Sequence, residues 1–158
     1  MTALLNRSAF LGAAQLEIDA LFLDEVRHLA DDVAGKHAAE VDLRARFPSE
    51  SVEALKRIGG MSAFLSPALG GRGIFFAAIA QACFILGNRC AATAMVFAMH
   101  QIQVVTLARH AVGQTFFEGH LRLVVDEQRL MASATSEIGT GGDMGTSVAA
   151  LTPVDGGL

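Results

Sequence analysis

The chain has 158 residues, of which 52% are hydrophobic, and a formal net charge of -4. That length sustains one domain with a real core, and the acidic balance, with no run of Lys or Arg, excludes a nucleic-acid-binding role. A mean hydropathy of +0.43 leaves two readings: a membrane segment, or a subunit that covers unusually much surface with partners.

Residues 1–15 contain a short apolar run at 9–14 with no basic region before it and no small-x-small cleavage site, so no secretory signal is expected. Residues 16–46 read as helix, with a break expected near Gly35. Leu21, Phe22, Val26, Leu29 and Val33 recur at three- and four-residue steps between Asp24, Glu25, Asp31 and Asp32. That alternation marks a surface helix with one buried stripe. Pro48 disfavours helix at Phe47. Ser49 is the expected cap of a short helix reaching about Ile58, with Val52, Leu55 and Ile58 turned inward and Gly59-Gly60 as its stop.

Residues 61–73 show no sustained period, and Pro67 with Gly70-Gly71-Arg72-Gly73 makes them a loop. The glycines lack a Walker lysine and GxGxxG spacing, so a turn between helices is preferred to a phosphate cradle. From Gly73 to Phe117 the only charged residues are Arg89 and Arg109. Two core helices are expected here, at 74–86 and 91–111. The second is apolar around most of its circumference and is expected at the centre of the fold. Gly113 separates it from an amphipathic helix at about 114–125. After that the period changes. Residues 130–136 alternate large and small side chains, and 147–153 is a second extended candidate.

Residues 90–108 are long enough to span a bilayer. His100, Gln101, Gln103 and Thr106 near the centre of that stretch argue against a membrane span. Cys83 and Cys90 lie seven apart on helical sequence. Side chains two turns apart are ~10 Å from each other, too far for an unstrained disulfide, so both read as free thiols of a reducing, cytoplasmic compartment. No metal site is expected. His28 and His37 sit on a charged helix and read as solvated, and His120 lacks metal-helix spacing. His100 and His110 read as hydrogen-bonded core histidines, with catalysis as the alternative.

One polar stretch stands out. From Ala132 the chain runs Ala-Ser-Ala-Thr-Ser-Glu-Ile-Gly-Thr-Gly-Gly-Asp to Asp143. Hydroxyl groups both donate and accept, and glycines admit close backbone approach and unusual φ values. Exposed backbone N–H groups in such a stretch can meet an anion. The pattern suits a flat, polar ligand, and the sequence reads as the first part of a larger flavoenzyme.

Three motifs in order resemble the acyl-CoA dehydrogenase family over nearly the whole chain. The first is the Phe47-Pro48 helix followed by Gly59-Gly60-Met61 and by Pro67-Ala68-Leu69-Gly70-Gly71-Arg72-Gly73. The second is Ala92-Thr93-Ala94-Met95-Val96-Phe97-Ala98-Met99-His100 with Arg109-His110. The third, Ala134-Thr135-Ser136-Glu137 through Gly141-Gly142-Asp143, resembles the T-E-x-x-x-G-S-D segment that opens the family's β domain. It departs from that pattern at Ser136, at Gly142 in place of serine, and at Ser133, where an aromatic residue is common.

The resemblance implies a mainly α fold: an up-down helical bundle at 1–128, followed at 129–158 by the first strands of an incomplete middle β domain. It implies FAD as cofactor, held by Ser133, Thr135, Ser136, Gly141 and Gly142, with weak or no binding expected from this chain alone. It implies an acyl-CoA substrate lined by Met95, Met99 and Gly142, an electron-transfer partner, and a homo-oligomer in full-length relatives. Plain core packing is the alternative role for Met95 and Met99. The family's reaction removes an α-proton from an acyl thioester and transfers the β-hydride to FAD, as in fatty acid oxidation. Its carboxylate base comes from a later helical domain, so no catalytic residue is assigned here. Glu137 is expected to be structural, and the chain alone is expected not to turn over. A flavin-dependent monooxygenase component of the same fold, or a non-catalytic helical remnant, are the alternative functions.

Overall fold

The computed structural model describes residues 12–110 and 113–133. Six α-helices follow one another: α1 (Ala13–Leu29), α2 (Gly35–Leu43), α3 (Ser49–Arg57), α4 (Phe76–Gly87), α5 (Ala91–His110) and α6 (Thr115–Asp126). The architecture among the described residues is all helical.

Helices α1 and α2 are one continuous rod. In place of the break expected near Gly35, a π-helical turn, Ala30–Ala34, joins them, and Gly35 itself is helical at φ -64°. A π turn inserts a residue without opening the backbone ladder. Here it carries the covered face from Phe22, Val26 and Leu29 across to Ala34 and Val41, all buried. Leu21, expected on the same stripe, is exposed. Gly35 has a packing reason. A Cβ there would come within 3.2 Å of the Ala30 carbonyl oxygen and 3.7 Å of the Arg89 side chain. Arg89 instead lies across the rod, and its Nε donates to Asp31 Oδ1 at 2.6 Å.

Helix α3 starts one residue differently from expectation. Pro48 occupies the cap position and Ser49 is already helical, with no side-chain capping bond. Proline suits this position because its fixed φ, here -80°, turns the chain into the helix and it has no N–H to leave unpaired. Val52, Ala54 and Leu55 are buried as the spacing implies, while Ile58 is only half-buried.

Residues 61–73 form the expected irregular loop, with a single 3-10 turn at Pro67–Leu69. Its backbone folds so tightly that a Cβ on Gly71 would lie 2.2 Å from the Leu65 carbonyl oxygen, closer than any side chain tolerates. Met61, Ala63, Leu65 and Ile74 of this loop are buried and belong to the core.

Helices α4 and α5 form a hairpin through residues 88–90, and this pair is the spine against which the others pack. α1 covers α4, while α2, α3 and α6 meet α5. The expectation that α5 lies buried at the centre holds for one face only. Thr93, Phe97, His100, Gln101 and Val104 are buried, whereas Met95, Met99 and Ile102 stay 63%, 39% and 53% exposed. Apolar residues on every side make a helix compatible with burial all round. The neighbouring helices decide how much of it is covered.

The expected strand at 130–136 does not begin in the described part. Residues 130–133 carry no regular structure. The remainder of that stretch and residues 147–153 lie outside the described residues. Helix α5 is long and apolar enough to cross a membrane by length and composition. On its buried face His100 and the Gln101 amide nitrogen are hydrogen-bonded, while Thr93 Oγ1 and Gln101 Oε1 have no partner among the described residues.

Candidate functional site

The polar side chains of α5 converge on the loop after α3. Gln101 Nε2 donates to the Gly60 carbonyl at 2.8 Å. His100 Nε2 lies 2.8 Å from the Met61 carbonyl oxygen. From beyond α6, Gln128 Oε1 accepts the Met61 amide at 3.1 Å, and its Nε2 donates to Ser62 Oγ at 2.9 Å and to the Val125 carbonyl at 3.0 Å. Three stretches far apart in sequence are thus tied at residues 60–62. Gln128 holds a left-handed backbone, φ 49°, which turns the chain after α6 back toward this loop.

Met131 closes the knot. Its amide donates to His100 Nδ1 at 2.9 Å. An amide N–H only donates, so Nδ1 bears the lone pair and the ring proton sits on Nε2, pointing at the Met61 carbonyl. Burial pushes the His100 pKa below its ordinary value, with the Met61 hydrogen bond opposing it. The ring is a neutral, doubly satisfied core imidazole, as the apolar context in the sequence suggested. His28 and His120 are exposed as expected; His110 is exposed as well, so the core reading holds for His100 alone, and His37, expected solvated, is half-buried beside Glu50.

Ser133 stands two residues beyond Met131. It is half-buried, and its hydroxyl makes no hydrogen bond to another described residue. Thr135, Ser136, Gly141 and Gly142, with Glu137 and Asp143, lie outside the described residues. Met95 and Met99 are brought together on the uncovered face of α5, one turn apart, with Ile102 continuing the stripe. Among the described residues no cluster of His, Cys, Asp or Glu has metal-binding geometry. Cys83 and Cys90 are both free, and burial pushes the Cys83 thiol up.

A groove of about 570 Å³ opens between α2 and the α4–α5 connection, lined by Val41, Asp42, Arg46, Arg89 and Cys90 among others. Of the residues expected at the ligand site, the described ones, Met95, Met99 and Ser133, do not line it. Its arginines are engaged already: Arg46 pairs with Glu40 and Glu50, and Arg89 with Asp31.

Sequence reasoning passed over the residues that shape this end of the fold. Asp19 Oδ1 accepts the Phe75 amide at 3.0 Å and Gln15 Nε2 at 2.9 Å, anchoring the entry to α4 on α1. Its signal was available, since Asp19 sits three residues before Phe22 on the buried stripe. Arg72 donates to the Ile58 carbonyl at 2.6 Å, pairs with Glu25, and lies over the Phe22 ring at 5.1 Å. Gln128 gave no local signal, because two of its three partners are 66 and 67 positions away.

These features define a helical domain whose spine ties residues 130–133 at one end through Met131 and leaves an apolar stripe open among the described residues. Residues 17–114 match the family described as acyl-CoA dehydrogenase, N-terminal domain. That range is more than half of the chain, and the chain belongs to the acyl-CoA dehydrogenase family. The matched range contains the first two sequence motifs and ends before the third. Neither curated proteins nor solved structures gave a match to this chain.

Proposed function

We propose that this chain supplies the helical side of an acyl-CoA dehydrogenase-type oxidoreductase that uses FAD. The observation that carries the reading is the family match across α1 to α5. Two features support it. The Met95–Met99 stripe offers soft, adaptable apolar surface of the kind an acyl chain would contact. The Ser133 hydroxyl fits a cofactor whose ring edge alternates carbonyls and N–H groups, because it has no described partner and both donates and accepts.

Ser133, with Thr135, Ser136, Gly141 and Gly142 after it, would hold the isoalloxazine. FAD, when bound, supplies the hydride acceptor. The chain's part is to bind and orient: the α5 stripe lies along the acyl chain and Ser133 meets the ring edge. No general base is assigned among the described residues. In the family it belongs to a later helical domain, and what is proposed for the described residues is binding and orientation. The boundary near residue 128 between a helical unit and a β unit, the homo-oligomer, the electron-transfer partner and the cytoplasmic setting belong to the same proposal.

The test is a titration of the purified chain with FAD, followed by a series of acyl-CoA thioesters, read by flavin absorbance and calorimetry. Flavin uptake, with thioester binding that weakens when Met95 and Met99 are both changed to Ser, is the expected result. Those residues are exposed, so the double variant keeps its stability to within about 0.5 kcal/mol. A chain that takes up no FAD in any state defeats the reading and leaves a non-catalytic helical module.

A further inference from the structure

We infer that His100 is the positioning residue that sets the backbone running from Met131 to Ser133. The inference rests on the reading of Ser133 as a flavin contact, and it adds the device that aims it.

Residues 130–133 lie in neither helix nor strand, so no regular ladder fixes their backbone. Among the described residues one hydrogen bond ties this stretch to the helical body, the Met131 amide to His100 Nδ1 at 2.9 Å. The other end of the same ring is fixed as well. His100 Nε2–H reaches the Met61 carbonyl at 2.8 Å, and the Met61 amide is held by Gln128. A buried ring pinned at both nitrogens cannot rotate without breaking a backbone bond. His100 is fully buried on α5, the spine helix. The ring therefore transfers the rigidity of α5 to a segment that has no secondary structure of its own.

The chemistry explains why histidine serves here. The site needs a donor toward the Met61 carbonyl and, about two bonds away on the same planar group, an acceptor toward the Met131 amide. Neutral imidazole provides both in a fixed geometry. An amide side chain provides one of the two at the right reach. Asparagine places its Oδ1 where Nδ1 lies and retains the Met131 bond. Glutamine reaches to where Nε2 lies and retains the Met61 bond.

That difference supplies the test. In the 158-residue chain, amide hydrogen exchange at Met131 is compared among wild type, His100→Asn and His100→Gln. Phe97 and Val104 amides of α5 serve as internal standards. The expected result is wild-type-like protection of Met131 in His100→Asn and at least about fivefold faster exchange in His100→Gln, the loss of roughly one buried hydrogen bond. Equal protection in the two variants overturns the inference, since a merely structural histidine would not distinguish them.

A second arm measures FAD affinity of the same proteins. His100→Gln is expected to weaken it by about tenfold, through a displaced Ser133, and His100→Asn to restore it. Loss of Met131 protection in His100→Gln with unchanged FAD affinity also overturns the positioning role. A wild type that binds no FAD defeats the flavin reading alone, and the exchange arm still judges the peg. Should His100→Gln fail to fold, the wild-type chain decides by NMR. An Nε2–H tautomer with coupling across the hydrogen bond from Met131 N to His100 Nδ1 supports the inference, and an Nδ1–H tautomer refutes it.

Discussion

Gln128 reaches back across 67 positions to accept the Met61 amide hydrogen at 3.1 Å. Met61 is fully buried, so this one side chain satisfies a backbone donor that water cannot reach. It does so from a left-handed backbone that favours glycine and costs an ordinary residue roughly 1–2 kcal/mol. The bonds it makes outweigh that strain.

Two substitutions separate the strain from the bonds. Gln128→Ala retains the strain and strands the Met61 amide, and should lower unfolding free energy by about 2–3 kcal/mol. Gln128→Gly loses the same bonds but relieves the backbone, and should be less damaging than the alanine variant by about 1 kcal/mol. Urea unfolding of the two variants orders them; a glycine variant weaker than the alanine one contradicts the account.

His100 makes stability depend on pH near neutrality. Burial holds its folded pKa below the ordinary 6.5, so between the two values the unfolded chain binds more protons than the folded one. Its contribution is complete above pH 6.5 and is lost as pH falls through the window down to the folded value. Unfolding midpoints measured from about pH 8 to about pH 5 should decline below about 6.5, and His100→Asn should flatten that decline. An unchanged slope in the variant would assign the effect elsewhere.

Glu50 governs a separate, more acidic range. The Arg46 guanidinium donates to both its carboxylate oxygens at 2.9 Å. This pairing, with help from the Glu50 backbone amide, holds the carboxyl at about 2 instead of 4.5. The pair's contribution is present above pH 4.5 and disappears as pH falls through about 2. A carboxyl-carbon NMR titration should place Glu50 at about 2, and Arg46→Met should return it toward the ordinary value. Because the pair is solvated, added salt should raise its pKa as well.

Arg72 joins three elements through one planar group. It donates to the Ile58 carbonyl at 2.6 Å, pairs with Glu25 of α1, and covers the Phe22 ring. Lysine keeps the charge but has neither the fork nor the flat face. Arg72→Lys should therefore destabilise the fold by about 1–2 kcal/mol, measured by chemical denaturation. A variant as stable as wild type would show the contacts to be incidental.

The helices were legible because their residues carry a local, periodic signal. Phe22, Val26 and Leu29 repeat at helical steps, Pro48 marks the entry to α3, and Gly59-Gly60 marks its end. The loop at 61–73 was equally plain from Pro67 and its glycines. The apolar context of His100 correctly identified a core histidine, and the free state of Cys83 and Cys90 came from helical spacing alone.

The local sequence determined where the chain is helical and which residues want to leave water, since both depend on steps of three or four residues. Tertiary structure decided what those preferences meet. It joined the two halves of the rod through a π turn where a break was expected near Gly35. It left Met95 and Met99 exposed, because among the described residues the helices that meet α5 pack on its other face. It also brought Gln128, Met61, His100 and Met131 to a single point. Hydrogen bonds between distant residues leave no periodic trace, so no window of sequence contains them. Only the packed fold, where unmet backbone groups are costly, selects them.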